Sequence, residues 1–339
     1  MIAPTIDAMG AFTAVGRNAP ETMSSLFSLV QLFDDLETLD RDGEPITGAA
    51  TPIRRRITGV ERLAAMALYA IEECVGSTSH PAKTFPLILA APGPPNPSDS
   101  DANQLLARLA AEATLRIDPA ASRVIARGRD AVPVALAEAR ALLGSRGVSA
   151  CLVAGVDSLI GTERMGRLLE ARRVRDSSNP DGFTPGEAAV CLLLTSDRSA
   201  RSSARLAGLG VSEEPGSWSG DPPVTGQGLS RAITSALGEA RVDGASLGYI
   251  AHDVSGEHAP FDELALALGR LPPRDSQGVK TWGPATCIGE VGAAAGLVSL
   301  AMLAFYIEKG VLTRPGLATF VSEGRVRGAA VVTPSQLIG

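Results

Sequence analysis

Lysine is almost absent from this 339-residue chain: three of its 31 basic residues are Lys (Lys83, Lys280 and Lys309), and the rest are Arg. That bias is compositional and carries no functional reading. Net charge is −6, and the densest basic run is the short Arg54-Arg55-Arg56. A nucleic-acid footprint needs a concentrated basic face, so that class is excluded. Cysteine is also sparse. Four are scattered (Cys74, Cys151, Cys191, Cys287), with no CxxC and no metal-ligand spacing. Buried thiols in a reducing compartment are expected, with no metal and no cofactor. Of the three His, His80 and His258 lie in polar stretches without an identifiable partner. No long hydrophobic run exists. Val291–Ala304 is uncharged but short of the roughly 18 apolar residues of a membrane span. No basic segment leads into an apolar one at the N-terminus. A cytoplasmic protein without membrane insertion is expected.

What the chain does have is apolar mass, with 45% hydrophobic and 20% charged residues. That suits a large body of two packed halves. Helical spacing runs over Glu21–Leu36, and 38–58 reads as a loop. Gly59–Val75 places Val60, Leu63, Ala64, Ala67, Leu68 and Ile71 on one helix face. Ala150–Val156 and Val190–Leu194 are continuous apolar strands. One repeat stands out. Gly128–Val148 and Gly289–Val311 each show a polar entry, an Ala-rich helix, a turn and Gly-Val. A helix apolar nearly all round is buried on all sides. Two of them predict a duplicated α/β unit with a central helical layer, divided as 1–197 and 198–339.

Asn179-Pro-Asp-Gly-Phe-Thr-Pro-Gly-Glu-Ala-Ala189 resembles the DGF-x-x-GE-x-A signature of β-ketoacyl synthases, in the thiolase superfamily. Ile6–Gly16 is similar to the opening strand of that family. Cys151–Asp157 resembles its AGG-x-E strand, Tyr249–His252 its HGT block, and Gly289–Gly296 its GH-x-x-GAAG block. The resemblance implies an α/β fold of five layers, αβαβα, with two pseudo-symmetric halves. Catalysis in that family needs a Cys at the start of the first buried helix, two His, and a Lys before the second His.

Laid on this chain, the nucleophile position falls near Gly128, within Ala126-Arg-Gly-Arg-Asp130. No Cys lies between Cys74 and Cys151, so shifting the frame recovers none. The first His matches His252. The second His position holds Glu290, the Lys position holds Ala285, and Ser322–Gly328 replaces the C-terminal GFGGTN loop. Without a thiolate there is no acyl-enzyme. Arg127 or Arg129 is expected to pair with Glu290 and plug the site, since a lone buried charge is costly. The rival reading is an anion site at the two helix starts. Cys287 sits just before Glu290, where a helix start would favour its thiolate and a Cys–His pair with His252. The other reading of both residues is simple packing.

Two functions follow from the resemblance. The first is a ketosynthase-like protein without condensing activity, acting as a binding, adaptor or partner subunit. It would be a homodimer, or a heterodimer with a ketosynthase-like chain, joined through apolar Cys151–Ala154. An acyl-carrier protein or a component of a bacterial secretion system are the other partners it implies. The alternative is an acyltransferase, or a thioesterase- or decarboxylase-type enzyme, using Cys287 and His252.

Overall fold

The computed structural model describes residues 3–93, 99–145, 147–196, 202–218, 220–272 and 278–335. The expected boundary at 197/198 lies outside the described residues. The first half carries β1 (Thr5–Thr13), α1 (Ala19–Phe27), β2 (Asp34–Leu39), β3 (Pro45–Gly48), α2 (Gly59–Ser77) and β4 (Leu87–Ala91). It continues with α3 (Asp99–Ala111), β5 (Arg123–Ala126), α4 (Ala131–Leu143), β6 (Ala150–Ser158), α5 (Thr162–Glu170) and β7 (Glu187–Thr195). The second half carries β8 (Ala204–Glu213), α6 (Gln227–Ala240), β9 (Tyr249–His252), α7 (His258–Leu268) and β10 (Lys280–Trp282). It closes with α8 (Ala285–Ile288), α9 (Ala295–Glu308), β11 (Gly316–Phe320) and β12 (Val326–Pro334).

The strands lie in the order β10-β9-β11-β12-β8-β1-β7-β6-β4-β5. Numbered within its half, each five-stranded set has the same order, 3-2-4-5-1. In each set the fourth of these strands in sequence parallels the second, and the fifth runs antiparallel. The two sets meet at one register, Thr5 with Arg205.

The layers follow from burial. α4 and α9 share one core cluster with inward residues of both sets, among them Ile88, Val153 and Val190 from one and Leu206, Ala318 and Val332 from the other. α2 covers the outer face of the first set, and α6 and α7 cover that of the second. The result is the αβαβα arrangement. Twelve of the fourteen residues of α9 are buried, which explains its lack of charge before Glu308. Each fully buried Leu, Ile or Met there stabilises the core by about 1.5–3 kcal/mol. Close approach is built in the same way twice. A Cβ on Gly10 of β1 would meet the Ala70 carbonyl of α2 at 2.0 Å, and one on Gly208 of β8 would meet the Ala236 carbonyl of α6 at 2.0 Å.

Three expectations need correction. The helix over Glu21–Leu36 is only α1, because Leu29 takes a left-handed φ of +54°. There Val30 N–H reaches back to the Ser25 carbonyl at 2.9 Å and closes the helix. The loop expected over 38–58 contains β3, which pairs with β2 as a hairpin. Cys151–Ala154 cannot be a dimer strand. It pairs with β7 along one edge, and Leu152–Ala154 pairs with β4 along the other. Its apolar character reflects a central strand buried on both faces. The edges of the sheet are β5 and β10.

Candidate functional site

Both central helices begin with the same backbone device. A one-turn 3-10 helix, Gly128–Asp130, leads into α4, and another, Gly292–Ala294, leads into α9. Gly128 and Gly292 hold φ of +57° and +53°, values that strain any residue with a Cβ. Arg127 and Val291 before them are alike too, with φ/ψ of −131°/16° and −119°/23°. The repeat seen in sequence is therefore a repeat of backbone, aligned Gly128 to Gly292.

Arg129 follows Gly128 and turns inward, while Arg127 stays exposed. The Arg129 guanidinium is buried, with its side chain 4% exposed. Its Nη1 donates to Glu290 Oε2 at 2.5 Å, and its Nε donates to the Val321 carbonyl at 3.0 Å. Its Nη2 donates to the Asp253 carbonyl at 2.7 Å and lies 3.4 Å from Asp253 Oδ1. Ser255 donates a further hydrogen bond to Glu290 Oε2, and Gly292 N–H donates to Oε1 at 2.8 Å. Of the two Arg expected to meet Glu290, Arg129 does so. The anion-site reading fails on the same geometry, because these donors already face protein acceptors.

The signature segment holds Glu290 from behind. Gly186 N–H donates to the Glu290 carbonyl at 2.8 Å, and Glu290 N–H donates to the Thr184 carbonyl at 2.8 Å. The signature is thus a brace for this position.

One guanidinium faces two carboxylates here. Burial pushes the Glu290 carboxyl up from its ordinary value, although Arg129 and Ser255 pull it down. Burial likewise pushes Asp253 up to about 7, against the pull of Arg129. His252, the next residue along, is pushed down to about 4, first by burial and then by the positive charge of Arg129. It is a neutral imidazole at neutral pH, packed edge-on to Phe261 with ring centroids 5.8 Å apart.

Cys287 departs from expectation. It lies within α8 and is 1% exposed, and burial pushes its thiol up. A four-residue helix supplies little dipole, and desolvation of the thiolate wins. Among the described residues no hydrogen bond joins Cys287 to His252. Ala285 lines a cavity of about 10 Å³ beside Asp253, Glu290 and Ser299. That is space for about one water molecule. Ser299 Oγ is buried there without a hydrogen-bond partner among the described residues.

Sequence reasoning missed the rest of the assembly. Ser322, in the segment that replaces the C-terminal loop, donates to Asp130. Trp218 lies against three guanidinium groups, those of Arg129, Arg173 and Arg327, at 5.7–5.9 Å from its ring centre. Arg327 and Glu263 form a second fully buried pair at 2.6 Å, and Trp218 Nε1 donates to the same carboxylate at 2.8 Å.

No protein-family model and no curated protein matches the sequence. Solved structures do match. One is a type II polyketide-synthase acyl-carrier protein in complex with its ketosynthase bound to the hexaketide. It aligns over 98% of this chain and 99% of that one, with a TM-score of 0.77 and 16% identity. The ishigamide ketosynthase/chain length factor aligns over 98% and 99%, with a TM-score of 0.74 and 17% identity. The ketosynthase from module 6 of the Bacillus subtilis 168 bacillaene synthase aligns over 98% and 72%, with a TM-score of 0.76 and 14% identity. The chain has the thiolase-like fold of these ketosynthases. Among the described residues no helix is long and apolar enough to cross a membrane.

Proposed function

We propose that this chain is a ketosynthase-like protein without condensing activity, working by binding as a partner or adaptor subunit. The observation that carries this reading is Arg129, whose guanidinium occupies the space between Glu290 and Asp253 and leaves about 10 Å³ beside them. Gly128 supplies no nucleophile, and covalent catalysis needs one. Glu290 spends its acceptor sites on Arg129, Ser255 and Gly292. Burial lowers the basicity of His252 and holds the Cys287 thiol protonated, and no hydrogen bond joins the two among the described residues, so they are not arranged as a nucleophile and its base.

The partner this reading favours is a second chain of the same fold, because one of the similar structures is a ketosynthase/chain length factor; the acyl-carrier protein found with its ketosynthase in another is the second candidate. The edge strand β5 would carry the contact. Among the described residues it is paired only with β4, and it ends two residues before Gly128. An unpaired strand edge is a template for pairing with another chain.

The test is incubation of the pure protein with acyl- and malonyl-thioesters, followed by intact mass and thiol release. The expected result is neither adduct nor release, together with co-purification of one defined partner protein. An adduct that disappears in Cys287→Ser would replace this reading with the acyltransferase or thioesterase one.

A further inference from the structure

A second region of the first half holds space of another order. Between the β2–β3 hairpin, the start of α2 and the start of α5 lies a cleft of about 560 Å³. Small-molecule sites fall in the range of roughly 300–1,000 Å³. The cleft shares no lining residue with the cavity beside Glu290. Leu36, Ile57, Val60, Leu63 and Ile160 give its walls an apolar part.

We infer that this cleft binds a neutral amphipathic small molecule, with a hydrocarbon body and an uncharged hydrogen-bonding head. The charge around it is already spent within the protein. Arg62 at the floor gives Glu187 two hydrogen bonds, from Nε at 2.7 Å and Nη2 at 2.5 Å. Ser158 Oγ, Thr51 N and Thr51 Oγ1 donate to the same carboxylate at 2.7, 2.8 and 2.7 Å. That fills the roughly four acceptor sites of a carboxylate. At the rim Arg55 pairs with Glu37 at 3.3 Å, Arg164 with Asp157, and Glu163 with Arg167. Asp101 is engaged as well.

An ion entering the cleft would meet charges that are already paired and walls that are partly apolar, which disfavours charge. A neutral guest leaves every pair intact and covers the walls. Thr38, Thr58 and Thr162 also line the cleft, and their hydroxyls make no hydrogen bond among the described residues. They are the groups left to meet an alcohol, amide or ester head. This inference does not depend on how the site around Arg129 is read.

The experiment titrates the protein with 1-aminoanthracene, which is uncharged at neutral pH, and in parallel with the anionic 8-anilinonaphthalene-1-sulfonate. Saturable enhancement is expected with the neutral probe. Val60→Trp and Ile160→Gln, on separate elements of the wall, are each expected to weaken it by about tenfold or more. Val211→Trp, at an exposed position of β8, is expected to leave it unchanged, and far-UV circular dichroism checks that all three fold. No saturable binding, equal binding in every variant, or tighter binding of the sulfonate overturns the inference.

Discussion

Two regions of this molecule are built from the same materials and end up opposite. Around Glu290, one Arg and two carboxylates are packed so tightly that about 10 Å³ remains. Around Ser158, three Arg that are each paired with a carboxylate line a cleft of about 560 Å³. Charged side chains therefore do not mark a ligand site by themselves. What matters is whether space and unused hydrogen-bonding groups are left after the charges pair. In the first region the guanidinium is itself the filling. In the second the pairs lie at floor and rim, and part of the walls stays apolar.

The largest test of this contrast is Arg129→Met. It leaves Glu290 and Asp253 without the guanidinium that they share. Losing one partner of a buried ion pair costs about 3–5 kcal/mol, read by urea unfolding. Arg55→Met, at the rim of the cleft, removes an exposed pair worth about 0–1 kcal/mol. Equal losses in the two variants would erase the distinction between the regions.

The dependence on pH is next in size. Asp253 is raised from its ordinary 3.8 to about 7. The native carboxyl holds a proton that the unfolded one has released, so this contribution is full below about pH 4 and is lost as pH rises toward 7. His252 is lowered from 6.5 to about 4. Its contribution is full above about pH 6.5 and is lost as pH falls toward 4. The two slopes oppose each other between about pH 4 and 6.5. Asp253→Asn is expected to tip the profile so that stability rises with pH across that window. His252→Gln is expected to tip it the other way. Profiles unchanged by both variants would mean that neither group is held as described.

Gly128→Cys has a smaller effect on stability. Among the described residues a Cβ there meets only Gly93 N, at 3.7 Å, so they leave it space. The φ of +57° is the obstacle, at a cost of about 1–2 kcal/mol. The account expects no acyl adduct even with the thiol restored, because Arg129 still fills the neighbouring space. Val60→Trp is the mildest, at about 1 kcal/mol or less, because the side chain is half-buried and faces the open cleft.

The architecture was legible because it rests on periodicity and on a contiguous segment. The Asp181–Ala189 signature and the charge-free run before Glu308 were enough to place two halves around a central helical layer. The Arg129–Glu290 pair was legible for a similar reason, since both residues stand beside recognisable landmarks. Asp253, Ser255, Val321 and Trp218 were not. They converge from separate turns, and a buried polar residue in a short turn leaves no spacing pattern. Cys287 misled because a residue just before a helix reads as a helix-end thiol, whereas its own four-residue helix buries it. Cys151–Ala154 misled because an apolar strand looks the same in sequence whether its neighbours belong to its own chain or to another.

The central claim is that Arg129 and Glu290 are one buried unit that occupies the site. A double-mutant cycle with Arg129→Met and Glu290→Leu, read by urea unfolding, tests it most directly. Each single change is expected to be strongly destabilising and the double variant to recover much of the loss, with a coupling of about 2 kcal/mol or more. Simple additivity of the two losses would contradict it.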